Sequence, residues 1–369
     1  MTEVLELFTE LAAIPSPPGE ERRVADVVAT YLRNCALEVD EDDAGARIGA
    51  TAGNLYTRLD ATAAGTPIFL CAHLDTVPPA GEIEPVVDGE GIVRNAAGTI
   101  LGADDKAAVA VMLDATRRIL AEGRPHAGIE LLFTPKEEVG LIGAAAFDES
   151  RLLARHGFVY DQAAPIGGVI LGAPYSQALE VKFHGQASHA GMYPDEGRNA
   201  IVAAARAIAD LRLGRVDDET TANVGVIRGG TAGNIVAEWC TFQAEARSHD
   251  PAKLADLVQE MLDAFSFAAS LTDCRVDVES RKSYRGYRFK RDDEVVLLAA
   301  DALARTGYDA EYGLSGGAAD ANVFNERGLQ CLNLANGMID IHTANERIAV
   351  ADLDAMVDVT LALVDAALA

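Results

Sequence analysis

The segment PIFLCAHLDTVPP, residues 67–79, joins an apolar run directly to a histidine and an aspartate. Residues 67–72 predict a buried strand. His73 follows at once, so its imidazole is expected at the carboxyl edge of a sheet, where α/β proteins present their binding residues. Asp75, two residues further on, can accept the second ring N–H of His73 and orient the ring for a metal ion. Taken alone, the segment is equally compatible with a capped turn that carries a surface histidine.

Strands and helices alternate on both sides of this segment. Further strands are predicted at residues 54–59, 129–134, 167–171 and 330–334, and helices at residues 106–120, 293–305 and from 351 onward. This alternation favours an α/β fold with a mostly parallel sheet that is covered by helices on both faces.

The middle of the chain follows a different order. Strands are predicted at residues 178–184, 222–228, 239–248 and 274–280, and helices at residues 199–211 and 251–268. The resulting βαββαβ order is that of a ferredoxin-like α+β domain. We therefore expect one α/β domain made of residues 1–174 and 288–369, with a ferredoxin-like domain of residues 175–287 inserted into it.

The composition argues against several classes of function. The 369 residues include 31 Lys and Arg against 57 Asp and Glu, which gives a net charge of −26. Nucleic acids and anionic membranes attract basic surfaces, so neither is an expected partner. Five cysteines without a CxxC pair fit a reducing compartment better than a disulfide framework. With no signal-like N-terminus and no membrane-length apolar run, we expect a cytoplasmic protein.

Carboxylates and a second histidine occur in four more segments of the α/β part. They are Asp104 in GADDKAAVAV (102–111), Glu137 and Glu138 in FTPKEEVGLIG (133–143), Asp161 in FVYDQAAPIGGVIL (158–171) and His342 in DIHTANERI (340–348). Each lies at or near the end of an apolar run. Together with His73 they provide two imidazoles, several carboxylates and one spare carboxylate for handling a water, which is the inventory of a two-metal hydrolase.

Each segment also has a simpler explanation. Asp104 could cap the helix that follows it. Adjacent glutamates usually belong to solvated loops, and Asp161 and His342 could be ordinary turn or loop residues. The joint pattern of order, strand-end position and chemical type favours a shared site.

The motifs resemble those of the co-catalytic zinc peptidases, the family that includes peptidase T, glutamate carboxypeptidase, succinyl-diaminopimelate desuccinylase and aminoacylase. Four segments resemble the motifs of the peptidase T-like branch: HLDTVPP, ILGADDKAAVA, FTPKEEVGLIGA and IHTANE. The resemblance covers essentially the whole chain. It implies a phosphorylase/hydrolase-like three-layer αβα catalytic domain, with the inserted domain as a lid or dimerisation domain. It also implies a cis peptide bond after Asp104.

The resemblance assigns a role to each member of the donor set. His73 and Asp161 would hold one divalent ion, Glu138 and His342 the other, Asp104 would bridge them, Asp75 would orient His73, and Glu137 would be the general base and acid. The expected cofactors are two Zn²⁺ ions, with Mn²⁺ or Co²⁺ as alternatives.

Candidate substrate contacts lie in the inserted domain. By the resemblance, His189 would help bind the reacting carbonyl oxygen, and in dimeric relatives this histidine comes from the partner subunit. Asn234 and Arg247 resemble substrate-contacting positions. An arginine fork suits a carboxylate, although Arg247 could also form a surface ion pair. In the loop SGGAADAN, Ala319 stands where relatives more often have serine, which removes a hydroxyl contact and leaves backbone N–H groups.

The leading functional hypothesis is a metal-dependent hydrolase that cleaves an amide bond of short peptides, in the manner of a tripeptide aminopeptidase. An N-acyl amino-acid deacylase or a carboxypeptidase is the enzymatic alternative. A catalytically silent metal-dependent binding protein is the alternative outside enzymes. The expected partners are a short peptide or an N-acyl amino acid, and the inserted domain offers a surface for a homodimer.

Overall fold

The apolar run before His73 forms a strand, Ile68–His73, and all six of its residues are buried. The computed structural model describes residues 2–368. The chain divides into two units, of which the first contains the chain up to Ala173 and again from Arg288, and the second is Pro174–Tyr287.

The strands and helices are numbered along the chain. The strands are β1 (Asp40–Glu41), β2 (Leu55–Leu59), β3 (Ile68–His73), β4 (Pro85–Val87), β5 (Ile92–Asn95), β6 (Ile129–Thr134), β7 (His156–Gln162), β8 (Gly168–Ala173), β9 (Tyr175–His184), β10 (Gly214–Asp217), β11 (Thr220–Gly229), β12 (Trp239–Ser248), β13 (Arg275–Tyr284), β14 (Tyr287–Arg288), β15 (Glu311–Leu314), β16 (Gln330–Ala335) and β17 (Arg347–Ala349). The α-helices are α1 (Glu3–Ala12), α2 (Arg22–Asn34), α3 (Ala44–Ile48), α4 (Ala103–Glu122), α5 (Ile142–Ala146), α6 (Ala200–Ala209), α7 (Pro251–Leu271), α8 (Glu294–Arg305), α9 (Ala321–Glu326) and α10 (Val350–Ala366).

The main sheet has the strand order β1-β2-β6-β3-β7-β16-β8-β14, and β15 pairs with β8. Its central strands β6, β3, β7 and β16 are parallel. Their carboxyl ends therefore share one edge of the sheet, where ligand-binding residues collect in α/β folds. The flanking strands β2 and β8 run antiparallel to their inner neighbours. The predicted mostly parallel sheet is thus a mixed sheet with a parallel centre.

Two groups of helices cover this sheet. Helices α1, α2, α4, α8 and α10 pack on one another, and α3, α5 and α9 form a second group. The result is the expected three-layer αβα architecture. Helix α4 is the most buried, because its alanine-rich sequence favours helix and lets the neighbouring elements approach closely.

A small sheet of order β17-β5-β4 lies apart from the main one. Its strands have three or four residues each. Runs this short carry too little periodicity to be recognised in a sequence, so these strands are not among the predicted ones.

The second unit has an antiparallel sheet of order β10-β11-β12-β9-β13. Helices α6 and α7 cover one of its faces, and Phe183, Phe242 and Phe265 are buried between sheet and helices. Without β10 this is the expected ferredoxin-like βαββαβ domain. The additional strand β10 pairs with β11 at the edge. Among the described helices, none combines the length and the apolar character that a membrane crossing needs.

Candidate metal centre

His73 is the last residue of β3, and Asp75 fixes its ring. The Nδ1 atom of His73 lies 2.9 Å from the carbonyl oxygen of Asp75 and 3.6 Å from Asp75 Oδ1. Only 2% of His73 and none of Asp75 is exposed. With Nδ1–H donating to this carbonyl, the lone pair of Nε2 points away and can bind a cation. The closest orienting group is therefore the backbone oxygen of Asp75, not its carboxylate.

The carboxylate of Asp75 organises a second loop. Its Oδ1 accepts the backbone N–H of Glu137 at 2.9 Å, and its Oδ2 accepts that of Glu138 at 3.1 Å. This loop begins directly after β6 and turns sharply, with φ of +58° at Lys136. One buried aspartate thus aligns the loop after β3 with the loop after β6.

Asp104 lies between the two histidines. Its Oδ1 is 3.1 Å from His73 Nε2, and its Oδ2 is 3.1 Å from His342 Nε2. It stands at the start of α4 with non-helical backbone angles, and the Asp104–Asp105 peptide bond is cis, as the resemblance implies. A carboxylate that presents one oxygen to each imidazole has the arrangement that a bridging ligand requires.

The remaining carboxylates approach the same place from other strands. Glu138 Oε1 lies 3.1 Å from His342 Nε2. Asp161, on the parallel strand β7, is held by Asn333 of β16, which accepts its backbone N–H at 3.0 Å and donates to its carbonyl at 2.9 Å. Adjacent parallel strands therefore deliver side chains that are distant in sequence to one sheet edge.

Two ligand groups overlap in this cluster. Ligand atoms of His73, Asp104 and Glu138 lie within 4.8 Å of one another, and so do those of His73, Glu137 and Asp161. Glu138 is thus within reach of both histidines, whereas the resemblance pairs it with His342 alone. The structure brings all seven side chains predicted for the centre into one neighbourhood.

The cluster contains more carboxylates than positively charged partners for them. Burial raises the pKa of Glu137 well above its usual value, and the nearby Asp320 and Glu138 raise it further. Burial and the charges of Asp104 and Glu137 do the same to the pKa of Asp161. Within residues 2–173 and 288–368, the ion pairs of Asp104 and Glu138 are with histidines, and no lysine or arginine pairs with these carboxylates.

The pKa values of the two histidines are raised as well, which favours their protonated, positively charged forms. Hydrogen bonds to Asp104 and Glu138 raise the pKa of His342 to about 10. Burial alone would lower the pKa of His73, but its contacts with Asp104 and Asp75 outweigh burial and raise it. In the metal-free chain, protons on these groups supply positive charge that divalent cations would supply instead. Two imidazoles and several carboxylates around a bridging aspartate fit a pair of such cations.

The metal-free protein is expected to lose stability as the pH rises from about 4 to 7. Burial raises the pKa of Asp320 from 3.8 to about 6, so the folded state keeps a proton that the unfolded chain has already released. This contribution is present below the ordinary carboxyl pKa and is lost as the pH rises through the folded value. Raised histidine pKa values act in the same direction above pH 6.5, the ordinary value for His342.

Thermal unfolding in a chelator and in excess Zn²⁺, measured across this pH interval, tests the expectation. In the chelator, the melting temperature should fall as the pH rises. With the metal, it should fall less or stay constant. Parallel curves under the two conditions would show that the cations do not replace the protons of this cluster.

The three predicted substrate contacts lie in the second unit. His189 is exposed, and its Nδ1 accepts the backbone N–H groups of Gly191 and Met192, both at 3.2 Å. Asn234 lies beside it, because its carbonyl accepts the N–H of Ala190 at 2.9 Å. Arg247 does not share this location.

Arg247 occupies the far end of β12, where it contacts Glu245 at 3.0 Å. Its strand begins at Trp239, next to the His189 loop, and eight residues at about 3.3 Å each separate the two ends by roughly 26 Å. Ala319, in the first unit, is expected to offer a backbone N–H group to the substrate. This N–H donates to Asn322 Oδ1 at 3.2 Å, so it already has an acceptor within the protein.

Glu346 is a member of this neighbourhood that the sequence analysis missed. Its carboxylate accepts three backbone N–H groups from the loop that carries Asp104, and only 2% of the residue is exposed. The residue lies in the motif IHTANE, in which His342 is the predicted metal ligand. A glutamate in a polar loop ordinarily predicts a solvated side chain, so its burial had no signal in the sequence.

Comparisons with known proteins agree with this geometry. The model of Peptidase family M20/M25/M40 matches residues 69–366. The Bacillus subtilis (strain 168) protein YqjE is 38% identical over 99% of this chain and 98% of its own length. The crystal structure of the aminopeptidase PepT from Bacillus cereus ATCC 10987 is 37% identical, with a TM-score of 0.89 over 99% of this chain and 98% of that one.

A second solved structure is similarly close. It is a tripeptidase from Staphylococcus aureus subsp. aureus Mu50, 35% identical, with a TM-score of 0.93 over 98% of this chain and 97% of that one. Both structures share the fold and span nearly the full chain. The chain therefore belongs to the peptidase family M20/M25/M40, in its peptidase T-like branch, and is a metal-dependent hydrolase of peptide bonds.

Proposed function

We propose that this hydrolase is an aminopeptidase that releases the N-terminal residue of short peptides, tripeptides above all. The observation that carries the proposal is the position of Glu137, a buried carboxylate within 4.8 Å of ligand atoms of His73 and Asp161. The similarity to an aminopeptidase and a tripeptidase over nearly the whole chain supports this choice of substrate.

The ligand roles follow from the contacts. We propose that His73 and Asp161 hold one cation, that Glu138 and His342 hold the other, and that Asp104 bridges them. We propose zinc as the native metal, because a mixed set of imidazoles and carboxylates suits it, although manganese and cobalt fit the same donors. Two cations held by these residues would lower the pKa of a bound water and stabilise negative charge on the substrate oxygen.

Glu137 is the proposed general base and acid. One of its carboxylate oxygens takes a proton from the water as the water oxygen bonds to the scissile carbonyl carbon. It then delivers this proton to the amine nitrogen as the carbon–nitrogen bond breaks. Asp75 supports both halves of the step, since it orients His73 and holds the backbone of Glu137.

We propose that His189 donates a hydrogen bond to the developing oxyanion. Because backbone N–H groups occupy its Nδ1, the neutral ring carries its proton on Nε2 and is ready to donate. We assign substrate contacts to Asn234 and Arg247 as well. A tripeptide spans only about 10 Å, whereas β12 separates the His189 loop from Arg247 by roughly 26 Å. This separation supports a homodimer in which each substrate meets Arg247 of one subunit and His189 of the other.

A cytoplasmic location is also proposed. All five cysteines are free, which suits a reducing compartment. Fractionation of cells that produce the protein tests this, because recovery outside the cytoplasmic fraction would contradict it.

A panel of related substrates tests the proposed activity. The purified protein with Zn²⁺, Mn²⁺ or Co²⁺ is offered a free tripeptide, its N-acetylated form, its C-amidated form and an N-acetyl amino acid. We expect the free tripeptide to lose its N-terminal residue, and N-acetylation to lower kcat/KM by at least about 100-fold, because a polar group of the site is left unpaired.

The other substrates of the panel distinguish the alternative functions from an aminopeptidase. Exclusive cleavage of the N-acetyl amino acid would identify a deacylase, and release of the C-terminal residue would identify a carboxypeptidase. No cleavage by a chain that holds two metal ions would identify a binding protein. In the same assay, His189→Ala should lower kcat by about 100-fold or more without loss of metal, and unchanged kcat would remove His189 from the site.

A further inference from the structure

Glu346 joins two loops that are far apart in sequence. Its Oε2 accepts the backbone N–H groups of Leu101 and Gly102, both at 2.8 Å, and its Oε1 accepts that of Asp104 at 3.0 Å. The carboxylate is almost fully buried. It is thus enclosed by the amides of a single turn, which it holds in one conformation.

This turn determines where the carboxylate of Asp104 points. The turn leads into α4, and Gly102 takes a left-handed conformation there, with φ of +77°. The free amides at the start of a helix favour a negative partner, and Glu346 supplies it. Asp104 offers one oxygen to each histidine at 3.1 Å, so the conformation of this turn sets the positions of both oxygens.

The same residue also restrains the loop of His342. That loop is closed at its base by the pairing of Ile339 with Arg347, at 3.0 and 3.1 Å between backbone atoms. Glu346 directly precedes the closing residue and lies four positions after His342. Tying Glu346 to the start of α4 therefore fixes the distance between the His342 loop and Asp104.

The ligands on the His73 side of the centre have additional anchors that do not involve Glu346. His73 is held by Asp75, and Asp161 is held by Asn333. The side chain of His342, by contrast, is 45% exposed and contacts Asp104 and Glu138. Loss of the tie should therefore affect the half of the centre that contains His342 more than the half that contains His73.

We propose that Glu346 is a positioning residue that sets the affinity of the cation held by His342, Glu138 and Asp104. The inference rests on the proposed dinuclear centre. It assigns to Glu346 no contact with metal or substrate, since the residue acts through the backbone of Asp104 and through the loop of His342.

If Glu346 had a purely structural role, its replacement would lower the unfolding temperature without changing metal affinity. Glu130 provides the matched control for this distinction. Glu130 is also a buried carboxylate, 1% exposed, and it accepts the backbone N–H groups of Leu153 and Ala154 and the hydroxyl of Tyr56. The loop that it holds carries no ligand of the centre. Glu130→Gln and Glu346→Gln therefore remove similar hydrogen bonds and differ in what those bonds position.

The test measures metal affinity without any peptide. Wild type, Glu346→Gln, Glu346→Asp and Glu130→Gln are loaded with Zn²⁺ and titrated with a competing chelator, and unfolding temperatures are recorded in parallel. Glutamine keeps the shape but loses an acceptor, and aspartate keeps the charge but is too short to reach all three amides. We expect both Glu346 variants to bind one of the two ions about 10- to 100-fold more weakly and the other within about threefold of wild type.

Glu130→Gln should bind both ions as wild type does, even if its unfolding temperature falls as far. Wild-type affinity for both ions in both Glu346 variants would overturn the proposal, as would an equal loss in Glu130→Gln. Wild-type affinity in Glu346→Asp alone would show that charge and not position matters, which also overturns it. If Glu346→Gln does not fold, Glu346→Asp decides. A wild type that binds two ions and cleaves no peptide would contradict the proposed function and leave this comparison intact.

Discussion

Replacement of Glu137 by glutamine is expected to abolish nearly all peptide hydrolysis while both metal ions stay bound. The amide has the shape of the carboxylate but cannot take a proton from water or pass one to the leaving amine. Positioned proton transfer typically contributes about 10²- to 10⁴-fold to a rate, and this one residue serves both transfers. We therefore expect kcat to fall by about 10³-fold or more.

The measurement compares kcat for a tripeptide with the metal content of the same preparation. Glu137→Asp is the matched variant, because it retains a carboxylate base but places it further from the cluster. Its kcat should fall less than that of Glu137→Gln. If purified Glu137→Gln turned over substrate at a rate comparable to wild type, another group would have to be the base.

Replacement of Asp104 by alanine is expected to destroy the metal pair. Asp104 is the side chain whose two oxygens face the two histidines, each at 3.1 Å. Without it, both cations lose a ligand, and His73 and His342 are no longer joined. The variant should bind fewer than two ions per chain and show no measurable turnover.

Metal analysis after dialysis gives the answer, and Asp114→Asn provides the control. Asp114 is a fully buried carboxylate on the same helix, but it pairs with Arg117 and Arg118 and not with the centre. Its replacement should cost stability and leave both ions in place. Two tightly bound ions in Asp104→Ala would contradict the bridging role.

Much of the fold could be predicted from local patterns. The predicted bounds of β6 and β12 agree with the structure, because each is a run of strand-forming residues with clear limits. The order of strands in the sheet was not predictable in this way. Residues 129–134 lie between β2 and β3 in space, although they follow both in sequence. Likewise, the antiparallel flanks depend on pairings that no single segment encodes.

The candidate site was likewise predictable from the sequence only in part. The residue types and their strand-end positions indicated a metal centre, and the side chains of His73 and Asp104 do meet. The sequence predicts no role for Glu346, because its burial and its three backbone partners, which distinguish it from a solvated loop glutamate, exist only after folding. The sequence places Arg247 and His189 together as substrate contacts, and the length of β12 shows that they lie far apart within one subunit.

The sequence by itself determined which groups are available: two imidazoles and several carboxylates, each placed by local periodicity at the end of a strand or the start of a helix. Tertiary structure alone decided which of them become neighbours, as Asp104 and His342 do across 238 positions of the chain. The physical reason is that a strand or helix forms from interactions over a few residues, whereas a metal centre requires atoms within a few ångströms, and only the packing of the parallel strands and α4 brings such distant atoms together.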